Sequence, residues 1–176
     1  MSYQGSQLSY AVRYLEQHPR TELVTIDIGA NDMFRCQDIT ADNCTGADFG
    51  QALAGVTGNL DTILNALRNQ AHYRHVIVVL TYYALDYGAG PSVTQTEALN
   101  AALAGPAARY QARLADGFAA FRKAAARNRG DSCAAGLLIR LPSGGCDEHP
   151  SAEGQRVLAT VIQRAIGPGT GTARSR

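Results

Sequence analysis

Leu23-Val24-Thr25-Ile26-Asp27-Ile28-Gly29-Ala30-Asn31-Asp32 is the stretch that decides the fold class. Its first six residues are rich in β-branched side chains and end at a glycine, which reads as a strand. Gly29 lets the chain turn sharply or a substrate approach closely. Asn31, directly after the strand, can aim a side-chain amide N–H into a cleft, as an oxyanion-hole donor does. Taken alone, Gly29 to Asp32 reads first as an ordinary strand-end turn, because Gly and Asn are common turn residues.

Working outward, Leu8, Ala11, Val12 and Leu15 recur at three- and four-residue spacing, so Ser6 to Gln17 reads as a helix stopped by Pro19. On the other side a polar loop is expected from Asn31 to about Ala47. Phe49, Leu53, Val56, Leu60, Ile63 and Leu67 then keep a 4-3-4-3-4 rhythm, the clearest amphipathic helix in the chain. His75 to Thr81 is a near-continuous apolar run, typical of parallel strands covered on both faces. Tyr82 to Val93 reads as a loop and Thr94 to Gln111 as an alanine-rich helix, disturbed at Gly105-Pro106. Arg113 to Asp116 is a short third strand, Phe118 to Asn128 a helix, and Ser151 to Ile166 the last helix. Leu137 to Leu141 is apolar but too short to place. Strands alternating with helices imply an α/β fold, a three-layer α/β/α sandwich with a parallel sheet. One domain over residues 1–168 is expected, followed by a disordered tail at Gly169 to Arg176.

The chain has 176 residues, 45% of them hydrophobic and 18% charged, with a formal net charge of +1. That is a globular composition with no basic stripe for nucleic acid and no acidic tail. No apolar run approaches the ~20 residues of a membrane span, and Met1 to Gly5 has no signal-peptide character. Cys36, Cys44, Cys133 and Cys146 lack CxxC spacing, so zinc is not expected, and their even number suits disulfides. His72 and His75 are spaced as a metal pair could be, but no acidic residue is near them in sequence. Asp38, Asp42 and Asp48 lack the calcium-loop rhythm. No metal and no other cofactor is expected.

A second polar cluster runs from Cys146 through Asp147, Glu148, His149, Pro150 and Ser151 to Gly154. His149 reads as a loop residue just before a helix, free to act as general base. Pro150 is pre-organised for helix entry. In isolation His149 reads first as a surface histidine at a helix start.

Taken together, the Gly-x-Asn-Asp after a strand and the Asp-x-His-Pro-Ser-x-x-Gly before the last helix resemble the third and fifth sequence blocks of SGNH (GDSL-like) hydrolases. Gly5-Ser6-Gln7-Leu8, Val24 to Asp32, Leu137 to Pro142 and Gln155 to Ala159 are similar to the secreted, disulfide-bearing branch of that family. The resemblance spans Gly5 to Ile166. It implies a flavodoxin-like fold and a carboxylic ester hydrolase, esterase- or lipase-like, acting on a small-molecule or lipid ester without a cofactor. It assigns His149 as base and Asn31 as an oxyanion donor, with Gly29 and Asp32 as motif support. Asp147 is a weaker catalytic candidate, because the family's acid stands one residue earlier, where this chain has Cys146. The resemblance also implies secretion and disulfides, which we expect as Cys36–Cys44 and Cys133–Cys146.

The Gly-Asp-Ser-Leu-like block that carries the family's serine is not found before Asn31, nor is the second-block glycine. Ser6 opens a helix instead of ending a strand, and Ser143 lies in a loop without a strand-to-helix elbow, so neither fits the nucleophile. The expectation is a fold truncated at its N-terminus and inactive alone, with a non-catalytic ligand- or partner-binding protein as the alternative. A sheet that begins at Leu23 to Ile28 would leave one backbone edge unpaired, which predicts a homodimer or aggregate through that edge.

Overall fold

A computed structural model describes residues 5–167; the tail expected at Gly169 to Arg176 lies outside the described residues. Ser6 caps the first helix, α1 (Gln7–Gln17), its Oγ accepting from the Ser9 N–H at 3.1 Å, as Ser does at helix starts. Strand β1 (Leu23–Ile26) follows. The polar loop expected from Asn31 to Ala47 is corrected by helix α2 (Ala30–Ile39). Its inward face is Met33 and Cys36, both buried and one turn apart. Only these two side chains of the short helix are fully buried, Ala30, Phe34 and Gln37 being half-buried, and so the sequence shows no strong period.

Helix α3 (Ala47–Asn65) continues into a π-helical turn at Ala66–Gln70 and leads to strand β2 (Val76–Leu80). Helix α4 (Gly90–Arg109) starts a turn earlier than expected, with Pro91 in its first turn, where a missing N–H costs nothing. Nor does Pro106 end it. A proline there leaves the Ala102 carbonyl without its helical donor, and the Thr57 hydroxyl of α3 donates to that carbonyl at 3.2 Å. Strand β3 (Arg113–Ala115) and helix α5 (Gly117–Ala125) come next. The unplaced Leu137 to Leu141 segment becomes β4 (Leu138–Arg140), antiparallel to β5 (Cys146–Pro150). Ser151 then caps α6 (Ala152–Ile166).

The main sheet is parallel in the order β1-β2-β3, with Ile26 opposite Val79 and Val79 opposite Leu114. β2 is central, and its side chains alternate between two cores. Ile77 and Val79 pack with Leu15, Val56, Leu60, Leu64, Leu99 and Leu103. Val78 and Leu80 pack on the other face with Phe121, Ala125 and Leu158. These are the three layers, and each fully buried aliphatic side chain contributes on the order of 1.5–3 kcal/mol. At the starting end of the sheet one guanidinium ties the turns together. Arg68 donates to the carbonyls of Tyr73 and His75 at 2.9 Å, Tyr110 at 3.0 Å and Gln111 at 3.3 Å.

The disulfides are Cys36–Cys44 and Cys133–Cys146. No helix among the described residues is long and apolar enough to cross a membrane.

Candidate active site

In open α/β sheets, sites form beyond the carboxyl ends of the strands, and both polar clusters lie there. Gly29 is the N-cap of α2 with φ +103°. A side chain at that position would be strained, and its Cβ would come within 2.9 Å of Leu99 and 3.1 Å of Val56. Glycine therefore lets α2 start hard against α3 and α4. Asn31 follows in the first helical turn, exposed, where backbone N–H groups have no intrahelical acceptor. An asparagine amide beside such N–H groups makes a donor-rich corner suited to an anion. Asp32 is also exposed. Asp27, between β1 and α2, is held above the usual carboxylate range by the protein that partly desolvates it.

His149 is not in a loop, as expected, but in β5. The segment is extended because it pairs with β4, Pro150 opposite Leu138 and Cys146 opposite Arg140. Three ties seat this ribbon. Cys146 is bridged to Cys133. Ser151 donates its hydroxyl to Gly136 O at 2.6 Å and its N–H to Leu137 O at 2.9 Å. Gly154 brings α6 so close to Leu137 that any Cβ would overlap that residue's carbonyl oxygen. That close approach is the physical reason for the glycine three residues after Ser151.

Asp147 Oδ1 lies on His149 Nδ1 and also accepts the His149 backbone N–H, at 2.7 Å. The pair raises the His149 pKa above its ordinary value, chiefly through the hydrogen bond, and holds Asp147 below its own, chiefly through the backbone N–H. With Nδ1 engaged, Nε2 is the nitrogen left for proton transfer. The imidazole is 67% exposed. Glu148 lies 3.9 Å from Nδ1 on the same ribbon.

What joins the two clusters is a pair of tyrosines that the sequence reading passed over as loop residues. Tyr82 and Tyr83 follow β2 and stack at 4.5 Å. Phe34, one turn after Asn31 on the same side of α2, meets the Tyr82 ring edge-on at 6.2 Å. Tyr83 donates to the Glu148 carbonyl at 2.8 Å, and its ring stacks on Phe121 at 4.1 Å. Burial raises both phenols, Tyr82 to about 12, so both stay protonated donors. Asn100 of α4 fixes the Tyr82 backbone, accepting from its N–H at 2.7 Å and donating to its carbonyl at 2.9 Å. The available signals were a Tyr-Tyr doublet at the end of an apolar strand and one asparagine in an alanine-rich helix.

The remaining candidates are not gathered into this site. Asp38 belongs to α2, Asp42 to the turn after it, and Asp48 to the first turn of α3. Asp147, Glu148 and His149 do place ligand atoms within 4.8 Å of one another. They are consecutive, Asp147 half-buried and the other two exposed, and the Asp147–His149 hydrogen bond already accounts for the cluster. Ser6 and Ser151 are helix caps, and Ser132 is buried with its hydroxyl on Ala84 O at 2.9 Å. Among the described residues no hydrogen bond joins a serine hydroxyl to His149.

The profile of the GDSL-like lipase/acylhydrolase family matches residues 3–157. Among solved structures, an acetyl xylan esterase from Geobacillus stearothermophilus superposes with a TM-score of 0.57 at 19% identity, covering 89% of this chain and 67% of its own. A catalytic mutant of an acetylxylan esterase from the same organism gives 0.59 at 21%, covering 94% and 70%. An alpha/beta hydrolase enzyme from the metagenome of Lake Arreo, Spain, gives 0.56 at 18%, covering 89% and 67%. At these identities the likeness establishes the fold. No curated protein sequence matches the chain.

Proposed function

This chain belongs to the GDSL-like lipase/acylhydrolase family, and from that premise we propose that it carries the base and an oxyanion donor of a Ser–His carboxylic ester hydrolase. The observation that carries the reading is the Asp147–His149 pair, joined through the two tyrosines to the helix whose first turn holds Asn31.

A serine hydroxyl attacks the ester carbonyl while His149 Nε2 takes its proton. Asp147 holds the tautomer and stabilises the imidazolium. The Asn31 amide donates to the tetrahedral oxyanion. His149 then returns the proton to the leaving alcohol, and water, activated by the same imidazole, releases the acid. Gly29 and Asp32 position the Asn31 turn. We place the serine on a segment other than residues 5–167, because no described serine engages His149. The outer edge of β1 suits that role, since the groove of about 440 Å³ beside it is lined by Leu8, Tyr10, Tyr14, Leu23 and Ile28.

The two disulfides support an extracellular setting. The acetyl xylan esterases of the same fold make a short-acyl ester the first substrate to test. A non-catalytic, ligand- or partner-binding role is the competing reading, favoured by the open exposure of the imidazole. The test is turnover of short-chain nitrophenyl esters by the 176-residue chain. Negligible activity is expected, since losing even one oxyanion donor costs roughly 100–1000-fold. Turnover abolished by His149→Ala in a purified single chain would overturn the external serine and return attention to Ser6. Sedimentation at micromolar concentration tests the companion proposal that the unpaired β1 edge makes the chain a homodimer; a stable monomer rejects it.

A further inference from the structure

Between α2 and α4, beside the Asn31 turn, lies a second cavity of about 350 Å³, within the range of small-molecule sites, about 300–1,000 Å³. Its walls have two characters. Phe34 and Tyr82, with aliphatic neighbours such as Leu99, present apolar surface, and Gln37, Asn43, Ser92 and Gln95 present neutral polar groups. No charged side chain lines it.

The amides are ordered as a relay. Gln37 donates to Gln95 Oε1 at 2.9 Å, and Gln95 donates to Cys44 O at 3.3 Å. Each amide carries two N–H donors and a carbonyl with two lone pairs. The relay therefore leaves one N–H on each residue and the Gln37 carbonyl available. Among the described residues no buried side-chain N or O lacks a partner, so the Gln37 carbonyl, which accepts nothing, is open to solvent or a ligand. The Cys36–Cys44 disulfide holds the wall in shape, since it brackets Gln37 and Asn43.

We infer that this cavity binds a neutral, polyhydroxylated ring, the alcohol portion of the ester, with Gln37 and Gln95 setting the specificity. Its role as a subsite rests on the ester-hydrolase reading; its binding chemistry does not. An alkyl chain would leave the amide groups without partners, which is costly. An anionic head group would find no cation. A sugar-like ring meets both walls, its C–H face on the aromatic side and its hydroxyls on the amides.

Saturation-transfer NMR on the full chain with methyl β-glucopyranoside, octanol and glucuronate tests this. The glucoside is expected to bind at millimolar affinity or better, and Gln95→Leu to weaken it roughly tenfold, as losing a hydrogen bond to a neutral partner does. Ser92→Ala is a milder second variant, expected to weaken it about threefold with circular dichroism unchanged. Binding of octanol or glucuronate in preference to the glucoside overturns the assignment, as does no binding at all. Ester turnover through His149 in a chain supplied with a serine-bearing segment, without glucoside binding, overturns this inference alone. Glucoside binding lost in Gln95→Leu, with no turnover even when a serine-bearing family segment is supplied, supports the binding chemistry while rejecting the esterase reading.

Discussion

Asn31 is held from behind by packing, whereas His149 is held from the sides by cross-links. Behind Asn31, Gly29 seats against Leu99 and Val56, and Met33 and Cys36 are buried. Around His149 there is little to pack against. β5 is a short ribbon with exposed residues, kept in place by a disulfide, by Ser151 and by Tyr83. One half of the site shares the rigidity of the core, and the other borrows rigidity from discrete bonds. The first should therefore be sensitive to added volume and the second to bond removal, with one shared exception at Gly154.

Gly154→Ala is the exception and should have the largest effect. Its Cβ would overlap the Leu137 carbonyl oxygen and press on Phe121 and Pro150, each at 3.0 Å, and backbone cannot yield as a side chain can. Overpacking of this kind costs about 3 kcal/mol, to be read from urea melts. A loss below about 0.5 kcal/mol would mean that α6 can slide away from the ribbon, and the contrast between the halves would weaken. Next, replacing Cys133 and Cys146 by serine should cost about 2–3 kcal/mol by the loop-entropy argument. Hydrogen exchange should speed up over residues 138–150 and not over residues 30–36. Equal acceleration in both segments would show that the halves share one source of rigidity.

Gly29→Ala should cost about 2 kcal/mol, because the strain of positive φ adds to contacts that only side-chain ends can relieve. Its exchange pattern should be the reverse of the disulfide variant. Asp147→Asn should leave stability within error, as the imidazole is exposed and the carboxylate only half-buried, yet bring the His149 pKa down toward its ordinary value. NMR titration of the imidazole measures this. The sign follows from the two shifts. With His149 raised, the pair's contribution fades as pH rises through that elevated value. With Asp147 depressed, it also fades as pH falls through that lowered one. A general base at His149 would gain activity as pH passes its raised value, and the variant would move that limb to lower pH. An unchanged titration would remove Asp147 from the orienting role.

The strands and long helices were legible because burial on both faces writes continuous apolar runs, as at Val76 to Leu80, and burial on one face writes a helical period, as at Phe49 to Leu67. Asn31 and His149 were legible because their neighbours, Gly29 and Gly154, are fixed by steric demands that leave a motif. α2 was not, since only Met33 and Cys36 of its ten residues are buried. Nor was the ribbon that holds His149, because β4 and β5 are short and their pairing depends on a partner distant in sequence. Tyr83 and Asn100 act through backbone groups far along the chain, a relation that local spacing does not record.

Arg68 shows how far from a reaction centre a single substitution can matter. Its five N–H donors serve four carbonyls in the turns that introduce β2 and β3. Lysine keeps the charge but offers only one nitrogen, and it cannot span two turns at once. In a saturation-mutagenesis map of this chain, position 68 would read as intolerant even of its nearest chemical relative. A survey guided only by distance from His149 would leave that intolerance without an explanation.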